Sequence, residues 1–114
     1  MSPADLFALA KHIVEDQKRY LDTYITLDTL SAEMNVHRNA LSAAVNRFAG
    51  VKFPVWIATF RIAEVERLAA LPQNSKRSIE ALAMSAGFTN RTSFYRVYNA
   101  IRKNKPAETL RNIK

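Results

Sequence analysis

The chain has 114 residues, of which 48% are hydrophobic, with a net charge of +7, two glycines and no cysteine. This composition suits one folded domain or two very small ones, and it excludes disulfides, thiolate metal sites and a disordered chain. No apolar run approaches the roughly 18–20 residues that cross a bilayer, and acidic residues interrupt the N-terminal apolar pattern. We therefore expect a cytoplasmic protein without a signal peptide or membrane contact.

Helical spacing of apolar residues runs through the whole sequence, and no segment shows the alternation of a strand. The predicted helices cover about residues 3–19, 27–34, 38–48, 53–71, 79–85 and 90–103, with a last one from about 106. Thr26, Ser78, and either Thr89 or Asn90 stand where N-caps are needed. Asn35 and Gly87 stand where a turn with positive φ would follow a helix. The sequence thus predicts an all-α fold of about seven helices.

Positive charge rises along the chain. Residues 1–36 carry a net charge of −3, residues 37–86 of +4 and residues 87–114 of +6. A basic half beside an acidic half is typical of proteins that bind nucleic acid, and an acidic membrane surface is the second possibility.

The helix predicted within residues 87–103 has two contrasting faces. One is an apolar stripe of Phe94, Val97, Tyr98 and Ile101, which we expect in the core. The other consists of Arg91, Thr92, Tyr95, Arg96, Asn99, Arg102 and Lys103. That second face contains no carboxylate, whereas a simply solvated helix face usually mixes both signs of charge.

An internal repeat links the two halves of the chain. At a spacing of 52, Leu27, Leu30, Ser31, Asn35 and Val36 correspond to Ile79, Leu82, Ala83, Gly87 and Phe88. At a spacing of 53, Leu41, Ala44, Val45 and Phe48 correspond to Phe94, Val97, Tyr98 and Ile101. Each copy predicts a short helix, a turn and a longer helix, the outline of a helix-turn-helix, and the second copy has one extra turn residue. The predicted divisions are 1–52, a linker helix over 53–72, and 73–114.

The repeat resembles a known family over about residues 20–111. The segments are LDTLSAEMNVHRNALSAAVNRFAGVKFPVWIATFRIAEVERL and, most specifically, SIEALAMSAGFTNRTSFYRVY. They resemble the DNA-binding domain of AraC/XylS-type transcription regulators. The resemblance implies a bacterial regulator that binds specific duplex DNA with two helix-turn-helix units on a linker helix, in successive major grooves. It also implies a sensing or dimerisation domain outside this chain and RNA polymerase as a possible partner. The family often has Gly where this chain has Lys103.

We expect the DNA contacts to come from the second helix of each unit and from nearby cations. Candidate base contacts are Arg91, Thr92, Tyr95, Arg96, Arg38, Asn39 and Ser42. Candidate backbone contacts are His37, Asn46, Arg47, Lys52, Lys76, Arg77, Asn99, Arg102, Lys103 and Lys105. Arg can donate two hydrogen bonds to guanine, and Asn can pair with adenine. The second unit should read DNA more strongly because its face is richer in Arg and Tyr, although Arg96 could instead bridge within the protein.

Other functions remain open at this stage. The basic helix could dock on an acidic protein partner, such as an RNA polymerase subunit or an anti-regulator, or the chain could bind structured RNA. Catalysis is disfavoured because the chain lacks Cys, its two His residues have no evident partners, and no phosphate-binding loop occurs. We predict no cofactor and no metal site, since His12 and His37 are far apart in sequence.

Overall fold

A computed structural model of the protein describes residues 1–103, and this part of the chain is all-helical. Its six α-helices are α1 (Pro3–Lys11), α2 (Leu27–Met34), α3 (Arg38–Ala49), α4 (Phe53–Ala70), α5 (Ile79–Ser85) and α6 (Arg91–Arg102). The predicted all-α class is confirmed. The helix predicted from about residue 106 lies outside the described residues, as does Lys105.

The chain divides into two compact units, one ending at Ala58 and the other beginning at Thr59. Each unit contains one copy of the sequence repeat, α2 and α3 in the first and α5 and α6 in the second. The division falls inside α4, so this helix supplies residues to both units. The role of residues 53–72 as a separate linker stays a prediction.

In the first unit, α1 begins where the sequence predicts and ends earlier. The Ser2 hydroxyl accepts a hydrogen bond from the Asp5 amide at 3.1 Å, which caps the helix. After Lys11 the helix widens into a π-turn over His12–Asp16. Lys18 then adopts the left-handed conformation, with φ of 57°, and reverses the chain sooner than apolar spacing alone predicts.

The two helix-turn-helix units use the same backbone turn. Asn35 has φ of 56° and Gly87 has φ of 106°. In the first unit the Val36 amide donates to the Ser31 carbonyl at 3.0 Å, and at the repeat spacing the Phe88 amide donates to the Ala83 carbonyl at 3.1 Å. These bonds pair the last orphan carbonyls of α2 and α5, and they confirm the turns predicted at Asn35 and Gly87.

Both units bury the central apolar positions of the repeat, whereas Phe48 at the end of the first stripe is 42% exposed. In the second, α4, α5 and α6 surround a cluster in which Leu82, Phe94 and Tyr98 have no exposed surface. In the first, Leu30 and Leu41 occupy the equivalent positions, also with no exposed surface. Because the apolar sides of α3 and α6 are buried in this way, their polar sides face the solvent.

An ion pair joins the turn after α1 to α2. Both guanidinium nitrogens of Arg19 donate to the Glu33 carboxylate, the first at 2.7 Å. The hydrogen bond from Arg19 lowers the pKa of Glu33, and the same bond raises the pKa of Arg19. This ion pair adds to the apolar contacts that hold α2 in place. A helix of eight residues has little stability of its own.

Replacing Lys18 with Gly should stabilise the protein. A left-handed conformation costs an L-residue about 1–2 kcal/mol, and Gly adopts it freely at an entropic cost of about 0.5–1 kcal/mol. We expect the free energy of unfolding in urea, followed by circular dichroism, to rise by about 0.5 kcal/mol. The matched control is Lys11→Gly, where the backbone is right-handed and helical. That change should destabilise; stabilisation by both, or by neither, would contradict the argument.

Stability should also depend on Glu33 in mildly acidic solution. Because its pKa is lowered in the folded protein, the pair stabilises above the ordinary glutamate pKa, and this contribution disappears as the pH falls through the lowered value. Glu33→Gln should therefore reduce the free energy of unfolding at about pH 7 and change it less at about pH 3. Urea titrations at both pH values measure this difference. An effect of Glu33→Gln that is the same at both would show that the pair does not contribute.

Candidate nucleic-acid interface

The polar face of α6 is exposed because its apolar stripe is held in the core. Val97 and Ile101 lie half-buried at the edge of that core. The Asn90 side chain accepts a hydrogen bond from the Ser93 amide at 2.7 Å, so Asn90 is the N-cap. The exposed polar side chains on α6 and at its C-cap are Arg91, Thr92, Arg96, Asn99, Arg102 and Lys103.

Tyr95 is less exposed than helical spacing predicts. It is half-buried against the core cluster, with its ring centroid 5.2 Å from that of Phe94. Its hydroxyl donates a hydrogen bond to the Glu80 carboxylate of α5. The phenol hydroxyl therefore has an acceptor within the protein. The Tyr95 ring lies between the core cluster and the exposed side of α6.

Arg91 lies beside the same carboxylate. Its Nη2 atom is 3.6 Å from Oε1 of Glu80, and its guanidinium lies 5.8 Å from the centroid of the Tyr95 ring. The guanidinium thus has a carboxylate and an aromatic face as neighbours, both of which attract a cation. The face without carboxylates that the sequence indicates is a property of α6 alone, since Glu80 brings one from α5.

Arg96 is the arginine of this face with the fewest neighbours. Its side chain is exposed, and within residues 1–103 it forms no hydrogen bond or ion pair. The described part of the chain therefore contains no bridge through Arg96. All five N–H donors of its guanidinium are available to an external acceptor.

Arg102 is committed to a contact inside the second unit. Its Nε and Nη2 atoms donate to the two oxygens of Glu66 in α4, at 3.0 and 2.8 Å, and this hydrogen bonding raises the pKa of Arg102. The Tyr98 hydroxyl lies 3.5 Å from the same carboxylate. Arg102 was predicted to contact the DNA backbone. To bind a phosphate, its guanidinium would first have to give up a bidentate ion pair with Glu66.

Lys103 ends α6 in the left-handed conformation, with φ of 58°. This geometry explains why Gly is common at the corresponding place in the resembling family. The Lys103 side chain is exposed, as expected of a backbone contact.

The exposed polar face of α3 in the first unit carries shorter side chains than that of α6. Nδ1 of His37 accepts a hydrogen bond from the Asn39 amide at 3.1 Å, so His37 caps the helix. Because Nδ1 accepts this hydrogen bond, the proton of the neutral imidazole is on Nε2. The Nε2–H group can then donate to an acceptor outside the protein. Asn39 and Asn46 are exposed, and Ser42 is half-buried.

The two arginines of α3 also have neighbours in the first unit. Arg38 donates through Nε to the Asp28 carboxylate of α2. Arg47 lies over the Phe48 ring, 5.1 Å from its centroid. In the described part of the chain, Arg47 donates no hydrogen bond, whereas Arg38 donates one to Asp28.

The basic residues predicted to contact DNA from outside α3 and α6 differ in their contacts within the protein. Arg77 donates to the Ser85 hydroxyl at 2.8 Å and lies 3.4 Å from the Asn74 amide oxygen, so it braces the loop before α5. Lys52 and Lys76 are exposed. Their assignment as phosphate contacts stays a prediction.

The carboxylates beside the predicted arginines were not predicted from the sequence, although the repeat contains the signal. Asp28 and Glu80 are separated by 52 residues, and Arg38 and Arg91 by 53, which are the two repeat spacings. Both ion pairs therefore occupy the same place in their units. Reading only the apolar positions of the repeat hid this correspondence.

Two further observations concern other classes of site. Within residues 1–103, no group of three or more His, Asp or Glu side chains is arranged to hold a metal ion. In that same range no helix has both the length and the apolar character to span a bilayer.

Comparisons with known proteins agree with this architecture. The fold is similar to the C-terminal domain of AraT, a response regulator from Geobacillus stearothermophilus, with a TM-score of 0.82 and 17% identity, covering 100% of this chain and 89% of that one. It is also similar to a protein of unknown function from Listeria innocua, with a TM-score of 0.75 and 18% identity, covering 98% of each chain. No curated protein matches the chain.

A family model described as a helix-turn-helix domain matches residues 30–112, which is most of the chain and includes the first copy of the repeat from Leu30 and all of the second. Both turns, at Asn35 and Gly87, and the whole second copy of the repeat lie within this match. The chain therefore belongs to the AraC-type helix-turn-helix family of DNA-binding domains.

Proposed function

We propose that this protein binds specific duplex DNA through α3 and α6, as the DNA-binding part of a bacterial transcription regulator. The two helices would enter successive major grooves, about one helical turn or ~34 Å apart. This is a binding role without catalysis, carried out in the cytoplasm. Regulation would come from a sensing or dimerisation domain outside this chain, and RNA polymerase is a plausible partner.

The observation that carries the proposal is the N-terminal half of α6. Arg91, Thr92 and Arg96 are exposed there, on a helix whose other face is locked in the core. Residues near the start of a recognition helix reach deepest into the major groove. Two arginines separated by five residues can address guanines while Thr92 contacts a thymine methyl group or a phosphate.

The second unit should contribute more of the sequence preference than the first. Arg96 has a long side chain whose donors have no partner within residues 1–103, whereas Asn39 and Ser42 on α3 are short. Short side chains suit positioning of the unit on the backbone, and phosphate contacts carry no sequence information of their own. The exposed lysines Lys52 and Lys76 would add sequence-independent affinity.

Selection from a random pool of duplexes should yield a preferred site with two parts about 10 base pairs apart, centre to centre. One part should be more sharply defined, and Arg96→Ala should blur that part. Affinity should fall steeply with salt because counterions are released from the phosphates. A chain that enriches no duplex at low salt would refute the proposal, and binding to an acidic protein or to folded RNA instead would support the alternatives.

Arg96→Ala should weaken binding to the selected site by about 1–3 kcal/mol and relax the preference at one base pair. Its exposed side chain has no partner within residues 1–103, so we expect the thermal unfolding curve to be unchanged. Fluorescence anisotropy with the selected site and with single-base variants measures both effects.

Lys76→Ala is the comparison for a phosphate contact. It should weaken all duplexes by a similar factor and reduce the slope of log affinity against log salt by about one unit. If Arg96→Ala behaved in this same uniform way, Arg96 would contact the backbone and not a base.

A further inference from the structure

The two units share one electrostatic feature at their reading faces. In each, the first residue of the recognition helix is an arginine, Arg38 in α3 and Arg91 in α6. In each, a carboxylate from the second residue of the preceding helix lies next to it, Asp28 in α2 and Glu80 in α5. The repeat spacing makes these pairs equivalent, so the same arrangement of arginine and carboxylate occurs in both units.

The carboxylate of the second unit is held in place independently of its arginine. Glu80 accepts the hydrogen bond of the half-buried Tyr95, and its side chain is 34% exposed. Arg91 is 71% exposed and approaches no nearer than 3.6 Å. When Arg91 moves away to another acceptor, Glu80 therefore stays at the edge of the reading face.

The pair in the first unit is more open. Arg38 donates directly to Asp28, and their side chains are 53% and 72% exposed. The position of Asp28 has no equivalent of the Tyr95 hydrogen bond, because the repeat places Ser42 where the second unit has Tyr95. The second unit is thus the better place to test what the carboxylate does.

A fixed carboxylate distinguishes between the two kinds of DNA acceptor. Guanine offers an arginine two acceptors in one plane, which a guanidinium can meet with paired hydrogen bonds. A phosphate can also accept paired hydrogen bonds from an arginine, but it carries a full negative charge and is therefore repelled by the carboxylate beside the arginine, whereas guanine is neutral. The carboxylate thus disfavours the wrong complex, which raises specificity without adding a contact to the right one.

We propose that Glu80, and Asp28 at the equivalent place, are specificity-determining positioning residues that keep Arg91 and Arg38 from acting as general phosphate binders. This inference rests on the proposed function, because it concerns how the same reading face separates its preferred site from other DNA. The carboxylates themselves do not contact DNA.

Glu80→Gln tests the role with little change of shape, because the amide oxygen still accepts the Tyr95 hydrogen bond. Binding is measured by anisotropy over a series of salt concentrations, on the selected site and on a duplex of unrelated sequence. The charge-matched control is Glu33→Gln, which also removes one carboxylate from an arginine, in a pair that involves neither recognition helix. Thermal unfolding confirms that each variant is folded.

Relative to the control, Glu80→Gln should bind unrelated DNA about two- to fivefold more tightly, the range expected from releasing an exposed ion pair. The salt slope on that DNA should steepen by about 0.9, which corresponds to one additional phosphate contact. Affinity for the selected site should rise less, so the ratio of specific to unrelated binding falls. Asp28→Asn should act in the same direction.

The effect must pass through the arginine. In an Arg91→Ala background, Glu80→Gln should no longer steepen the salt slope beyond the change that Glu33→Gln produces. If Glu80→Gln matches Glu33→Gln on both duplexes, or keeps its full effect without Arg91, this inference is overturned while the proposed function stands. If the unmodified chain binds no duplex at low salt, it is the proposed function that fails.

Discussion

The fixed rotation of each recognition helix about its own axis is the constraint on which the reading faces depend. On α6, Phe94 and Tyr98 are fully buried one turn apart, and on α3 the equivalent Leu41 and Val45 are buried likewise. A helix anchored by two such side chains cannot turn without exposing them, at a cost of about 1.5–3 kcal/mol for each large apolar side chain. The opposite side of the helix is therefore held toward solvent, and this is why the position of Arg96 follows from the burial of Phe94.

The two units meet this constraint with different local chemistry. The first turns at Asn35 and caps α3 with the His37 imidazole, whereas the second turns at Gly87 and caps α6 with Asn90. Asn tolerates the left-handed conformation because its short side chain can bond locally, and Gly has no Cβ to hinder it. The extra residue before Asn90 lengthens the turn, yet the equivalent backbone hydrogen bond closes both turns. The backbone solution is conserved between the copies while the side chains that face outward differ.

Much of the fold could be predicted from the sequence because its signals are local. Thr26 and Ser78 cap the helices as predicted, and the bounds of α2 and α5 match the expected ones. The contacts of the site were harder because they join different helices. Periodicity gives the direction of Tyr95 about the axis of α6, but its half-burial depends on how closely α5 approaches. The carboxylate of Glu80 was likewise hidden, since a helical projection of α6 contains only residues of α6.

Counting charges overstates how much of the basic face is free to meet an anion. Arg102 faces Glu66 through two hydrogen bonds, and Arg91 and Arg38 each have a carboxylate beside them. Exposed pairs of this kind contribute only about 0–1 kcal/mol, so they are weak enough to exchange for a better acceptor. They are still strong enough to set an order among acceptors. On the proposed function, Arg96, which has no partner within residues 1–103, would bind the first acceptor it meets, whereas a paired arginine would leave its carboxylate only for an acceptor that binds it more strongly. On the proposed function, an arginine without a partner would speed the first encounter with DNA, and an arginine paired with a carboxylate would then discriminate between acceptors. The carboxylates on the neighbouring helices, α2 and α5, distinguish the two kinds of arginine.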